Sequence, residues 1–257
     1  NSHGTHVTST ILGYYMRSST YTGSVNGVAP MATVIPVKVL NQNGSGWSSV
    51  IARGIVYITD LKRDGKLGTH PVVINMSLGG PSLDAAEEAA INFAVHNGVI
   101  IVAAAGNEGT AGMGYPGAYP PVISVAASGW VGEWTTPPAG TRWWYGINVP
   151  DPTKAADYYI TDFSSRALDY GTPEQQDLDV AAPGSWIVGP YQTNGQISYY
   201  YLGGTSMASP HVAGIVALMA QKDSTLTASQ AEGFLESSAI PLPPGSRTVN
   251  DGNGGTV

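Results

Sequence analysis

The sequence predicts an α/β domain: a doubly wound, mostly parallel sheet with helices on both faces. Two observations carry this. Short apolar runs alternate with helical-period segments along the chain. The run at 99–104 is apolar at every position, the pattern of a strand buried on both faces.

Taken in order, residues 3–14 read as a helix introduced by Ser2 and carrying Val7, Ile11 and Leu12, followed by a loop. A strand is expected at 33–39 and a helix at 47–62, closed by Asp64-Gly65. Residues 72–75 are a short buried strand. Residues 84–96 are a helix, with Leu83, Ala86, Ala90 and Phe93 at helical spacing and Asn97-Gly98 as its stop. Strands follow at 99–104, 122–126, near Ile187 and at 198–202. The last leads through Gly203-Gly204 into an apolar helix, and 227–237 supplies a final amphipathic helix. No internal repeat is visible, so one domain over 1–257 is expected.

The most telling stretch is 204–214, Gly-Thr-Ser-Met-Ala-Ser-Pro-His-Val-Ala-Gly. It holds Ser206 at the tip of a helix so apolar that most of its sides must be buried. Folding asks only for an N-cap there, which Thr205 or Ser206 could satisfy. A helix N-terminus also offers unpaired N–H groups and a positive dipole, which favour an oxyanion. Pro210 fits a helix beginning here, whose first turn does not need its missing N–H. His3 begins a second helix, and Asn107 follows the apolar strand ending at Ala104. A serine, a histidine and an amide donor, each at the end of a core element, are the parts of acyl-transfer chemistry.

These segments resemble the subtilisin-like serine proteases, the subtilases. The serine block matches the family's nucleophile signature over all its positions, Ser2-His3-Gly4-Thr5-His6-Val7 its histidine block, and 103–109 its oxyanion block. Gly27-Val28-Ala29-Pro30, Val37-Lys38-Val39-Leu40, 74–80 and Ala182-Pro183-Gly184 agree as well. The resemblance implies a serine endopeptidase with Ser206 as nucleophile, His3 as general base, and Asn107 with the Ser206 N–H as the oxyanion hole. It also implies a substrate groove between Ser45-Gly46 and Ser77-Leu78-Gly79, where glycines let a peptide backbone approach. Ala104, Gly106 and Gly114 would line the pocket for the side chain before the scissile bond. Such small, uncharged walls suit large apolar or aromatic side chains, and Glu108 at the rim would tolerate a basic one. Ser48 suggests an open outer subsite.

One departure stands out. The family's aspartate lies before its histidine within Asp-Ser/Thr-Gly, and no aspartate here is followed by Ser-Gly or Thr-Gly. The expectation is a piece of a longer enzyme, truncated at both ends and nearly inactive by itself. The aspartate strand belongs near the middle of such a sheet, and losing it would expose backbone edges. Two alternatives stand beside this: a catalytically silent module binding peptide along 77–79, and a split enzyme whose partner chain supplies the aspartate.

Composition excludes several classes. Charged residues make up 11%, against about 25% in ordinary globular domains, as suits a secreted hydrolase. The net charge of −7 disfavours nucleic acid as a partner. No apolar run is long enough for an ordinary membrane-spanning helix, and without cysteine there is no disulfide or thiol chemistry. The expected partner is a protein or peptide substrate, with the protein itself a monomer. No cofactor is needed for the chemistry. Calcium stays open: the stretch 17–26, where many subtilases hold it, has no carboxylate, and Asp177 and Asp179 are the other candidates. His6 and His211 read as structural, and His70 and His96 have no metal-spaced partner, which disfavours a zinc protease. Residues 128–162 form a long aromatic-rich insertion with Trp130, Trp134, Trp143, Trp144, Tyr145, Tyr158 and Tyr159, readable as a substrate platform or a packed satellite cluster.

Overall fold

The computed structural model describes residues 2–19, 21–135, 141–142, 149, 151–166, 176–249 and 255–257. Trp143, Trp144 and Tyr145 lie outside the described residues. The helices are α1 (His3–Leu12), α2 (Ser48–Arg63), α3 (Ala85–His96), α4 (Thr205–Lys222) and α5 (Ala228–Ser238). The strands are β1 (Gly13–Arg17), β2 (Thr22–Asn26), β3 (Val72–Met76), β4 (Val99–Ala104), β5 (Ile123–Trp130), β6 (Trp134–Thr135), β7 (Thr141–Arg142), β8 (Tyr158–Ile160), β9 (Val180–Pro183), β10 (Ile187–Thr193) and β11 (Gln196–Leu202).

The main sheet is built on β3, β4, β5 and β9, all paired in parallel, with β8 joining β5 antiparallel. Every residue of β4 is buried, and alternate residues serve opposite faces. Ile100 and Val102 pack with Val212, Ala213 and Val216 of α4 and with Leu235 of α5. Ile101 and Ala103 pack with Ile55 of α2 and Ala90, Ile91 and Ala94 of α3. The sheet is therefore covered on both faces, the α/β architecture the sequence predicts. Truncating a fully buried Ile such as Ile101 to Ala costs about 2–5 kcal/mol, the transfer loss plus the cavity left behind.

Local chemistry sets the helix ends. Asp84 caps α3, its Oδ1 accepting the Ala86 and Glu87 N–H groups at 2.9 Å each. Thr227 and Gln230 form a reciprocal capping box on α5. Gly13, at φ 86°, stops α1 two residues earlier than the apolar pattern suggests.

Two stretches differ from expectation. Residues 13–26 hold an antiparallel hairpin, β1 with β2, where a loop is predicted. Residues 33–39 form no strand. Pro36 has no N–H for a ladder, and Ile35 and Val37 stay 39% and 38% exposed. The β3 edge away from β4 has no partner strand among the described residues. The ends of the aromatic segment belong to the main sheet: Ser128–Trp130 complete β5 and pair with β8.

Candidate active site

Ser206 is the second residue of α4, half-buried at its N-terminal end. Its Oγ donates to the Ser77 carbonyl at 3.3 Å, and its own carbonyl accepts from Ser77 Oγ at 2.8 Å. Asn75 Nδ2 donates to Ser77 Oγ at 3.0 Å, and Asn75 Oδ1 accepts from Ser209 Oγ at 2.7 Å. The first turn of α4 is thus pinned at two places to the C-terminal end of β3. The roles of Asn75 and Ser209 escape sequence reasoning. The available signal is a polar residue inside an apolar strand, which demands a buried partner.

Asn107 follows β4 and meets the same helix end. Its Oδ1 accepts the Thr205 N–H at 2.9 Å and lies 3.1 Å from Thr205 Oγ1. An N–H donor can face only the amide oxygen, so the end of the Asn107 amide that meets Thr205 is Oδ1. Thr205 is fully buried, and its Oγ1 also accepts the Gly106 N–H at 3.2 Å and lies 3.1 Å from the Gly106 carbonyl. A helix N-terminus, the Ser206 hydroxyl and an oriented carboxamide therefore share one small region. Thr205, which aims Asn107, is a further residue that the sequence left as a capping candidate.

His3 opens α1, which packs on α4 and β10. His6, one turn on, lies with Nε2 3.1 Å from the Ile187 carbonyl and 3.3 Å from that of Tyr200. Ile187 pairs with Leu202, just before α4. At the other end of α1 the Thr10 carbonyl accepts the Val28 N–H, and Val28 lies against Gly214 in mid-α4. α1 therefore meets both the strand pair that leads into α4, through His6, and the middle of α4, through the Val28 that its Thr10 holds. Burial lowers the pKa of both His3 and His6. His211 is half-buried within α4, its Nδ1 2.9 Å from the Met207 carbonyl.

The predicted groove residues fall into two groups. Ser77–Gly80, Ala104–Gly106 and Gly114–Tyr115 are stitched together: Gly80 and Tyr115 exchange N–H···O bonds of 2.8 Å, and the Gly114 N–H donates to the Ala105 carbonyl at 2.8 Å. Leu78 packs into the core beneath α2. Gly106 needs its glycine twice over: φ is +112°, and a Cβ would strike the Glu108 carboxylate and, at 2.8 Å, the Ser165 hydroxyl. Glu108 is held there by Ser165 Oγ, which donates to its Oε2 at 3.0 Å and accepts its N–H at 3.1 Å. Ser45 and Gly46 line an open groove of about 670 Å³ with Val39, Leu40, Trp47 and Val50. That loop is closed by Asn41, whose N–H donates to the Ser45 carbonyl at 2.8 Å and whose Oδ1 accepts the Asn43 N–H at 2.8 Å.

Of the calcium candidates, Asp179 stands with Glu232 and Glu236, their ligand oxygens within 4.8 Å of one another. Oxygen donors suit a hard cation, but Asp179 Oδ2 already accepts the Ser124 N–H at 2.6 Å and Oγ–H at 2.8 Å. Arg17 and Thr22–Asn26 of that stretch belong to the β1–β2 hairpin.

The subtilase family model matches residues 1–256. Subtilisin DY of Bacillus licheniformis is 38% identical over 246 residues, spanning 94% of this chain and 72% of that protein. Thermitase of Thermoactinomyces vulgaris is 34% identical, over 93% of this chain and 67% of its own length. Subtilisin E of Bacillus subtilis strain 168 is 37% identical over 94% of this chain, which spans about half (51%) of that protein. Among solved structures, sphericase superposes with a TM-score of 0.68 at 32% identity, covering 92% of this chain and 69% of that one. The chain belongs to the subtilase family of serine endopeptidases.

Proposed function

We propose that this protein cleaves peptide bonds through an acyl-enzyme formed on Ser206. The observation that carries the reading is the oriented Asn107 amide beside the Ser206 end of α4. His3 takes the Ser206 proton as Oγ attacks the carbonyl. Asn107 Nδ2–H and the Ser206 N–H stabilise the oxyanion of the tetrahedral intermediate, His3 protonates the leaving amine, and water releases the acyl group. A lowered His3 pKa is compatible with a neutral, proton-accepting imidazole at pH 7.

The substrate is a protein or peptide lying along Ser77-Leu78-Gly79 on one side and Ser45-Gly46 on the other. Large apolar or aromatic side chains enter the pocket lined by Ala104, Gly106 and Gly114. Glu108, poised over Gly106, also accepts a basic side chain. The enzyme is secreted and monomeric, in keeping with its low content of charged residues. Among the described residues no helix is long and apolar enough to cross a membrane.

The test is labelling of the full-length protein with a fluorophosphonate, followed by peptide mapping. A Ser206 adduct that disappears in Ser206→Ala is the expected result. No adduct at Ser206, with peptide still bound, would replace hydrolysis by simple peptide binding.

A further inference from the structure

Glu133 is an acid buried to 2% exposure in the short turn after β5, remote in sequence from every residue of the proposed chemistry. Its Oε1 accepts from Tyr159 Oη at 2.5 Å and from Ser185 Oγ at 2.6 Å, while its Oε2 accepts the Trp130 N–H at 3.4 Å. Trp134 Nε1 donates to Tyr159 Oη at 3.0 Å and braces the tyrosine from behind. A carboxylate buried with this many donors is a specific fastening, since each donor lost removes a hydrogen bond from a site closed to bulk water.

What it fastens leads to the nucleophile. Ser185 sits in the turn between β9 and β10, where the Gly184 and Ser185 N–H groups both donate to the Ser128 carbonyl, at 3.0 and 3.2 Å. The next residue, Trp186, holds φ at +55°, a backbone state that a bulky side chain keeps only when its surroundings impose it. The Gly184 carbonyl accepts the Gly204 N–H at 2.9 Å, and Gly204 is two residues from Ser206. The Gly204 carbonyl in turn accepts the Met207 N–H at 3.0 Å, within the first turn of α4. There is no room to slide: a Cβ on Gly184 would meet the Ala127 backbone and, at 2.9 Å, the Gly204 carbonyl.

We propose that Glu133 is a positioning residue for Ser206, acting through Ser185 and the Gly184 carbonyl on the segment that enters α4. The aromatic segment thereby contributes to reaction geometry from outside the substrate groove. This role rests on Ser206 being the nucleophile.

The test compares Glu133→Ala and Ser185→Ala with Glu133→Gln, which keeps an oxygen for Ser185 and Tyr159. Turnover of a chromogenic peptide anilide is measured per active site, counted by fluorophosphonate titration, well below each variant's melting temperature. The alanine variants are expected to lose about tenfold in kcat, the scale of a sub-ångström misplacement, with KM changed by less than about twofold. Glu133→Gln is expected to recover most of that rate. A lowered melting temperature with unchanged kcat per site overturns the proposal and leaves Glu133 a stabilising anchor. Should Glu133→Ala fail to fold, Ser185→Ala, which removes a single hydroxyl, decides on the same criteria. If the unaltered protein takes no phosphonate at Ser206, the catalytic reading falls and the positioning role falls with it; labelling of the unaltered protein with unaffected variants sinks the positioning role alone.

Discussion

Ser77 and Ser206 hold one another reciprocally: the hydroxyl of each donates to the carbonyl of the other, at 2.8 Å from Ser77 and 3.3 Å from Ser206. The segment proposed to flank a bound peptide is thus tied directly to the proposed nucleophile. The 3.3 Å bond is the longer of the two, and the proposed mechanism requires Ser206 to release it.

Asn75 sustains this pair from below. Asn75→Ala leaves Ser209 Oγ without its acceptor and Ser77 Oγ without its donor. Stability is expected to fall by about 1–3 kcal/mol, read by urea unfolding. An unchanged midpoint would mean that water replaces the amide.

Asn107→Leu keeps the bulk and removes the donor. A loss of about 10²–10³ in kcat with little change in KM is expected, a magnitude carried over from subtilisin rather than derived from this geometry. Thr205→Val should reproduce a milder part of it by releasing the Asn107 oxygen. Equal kcat in all three proteins would remove Asn107 from the oxyanion site.

Glu87 makes stability depend on pH. Burial, with Asp84 nearby as the lesser cause, pushes its pKa from 4.5 up to about 7, opposed by a hydrogen bond from Ser48. Between those values the folded protein binds a proton that the unfolded chain has released. Stability from this group is therefore complete below pH 4.5 and is lost as pH rises through about 7. Glu87→Gln should flatten this part of the profile and gain relative to the unaltered protein at pH 8. Parallel profiles for the two proteins would contradict the assignment.

The proposed tolerance of a basic side chain rests on Glu108. Replacing it by Gln should lower kcat/KM for a lysine substrate by about fivefold, the worth of one partly exposed charge contact, and leave a phenylalanine substrate unaffected. Equal effects on both substrates would assign Glu108 to the shape of the pocket through Ser165.

Much of the scaffold was legible because burial leaves a periodic imprint. The all-apolar run at 99–104 is β4, and the 84–96 pattern is α3 with Asp84 as its cap. The reading of 33–39 as a strand failed because apolar alternation records which faces are covered, whereas a strand also needs a neighbour with matching N–H and C=O groups. Pro36 was the warning. The hairpin at 13–26 was missed for the opposite reason. Its Tyr, Ser and Gly residues carry no apolar period, and part of its anchorage comes from distant groups, Tyr14 Oη on the Val188 carbonyl and Tyr199 Oη on that of Tyr15.

By itself the sequence determined the class of the domain, the buried strand and the groups at the ends of three core elements: a hydroxyl at 206, an imidazole at 3 and a carboxamide at 107. Only the tertiary structure decided which way the Asn107 amide turns, that Asn75 and Ser77 grip the first turn of α4, and that Glu133 reaches the same helix through Ser185 and Gly184. The division has a physical cause. Burial and capping act over a few neighbouring residues and so mark the local pattern. A hydrogen bond between groups 129 positions apart, such as that joining Ser77 to Ser206, depends on a meeting of backbones that no local pattern encodes.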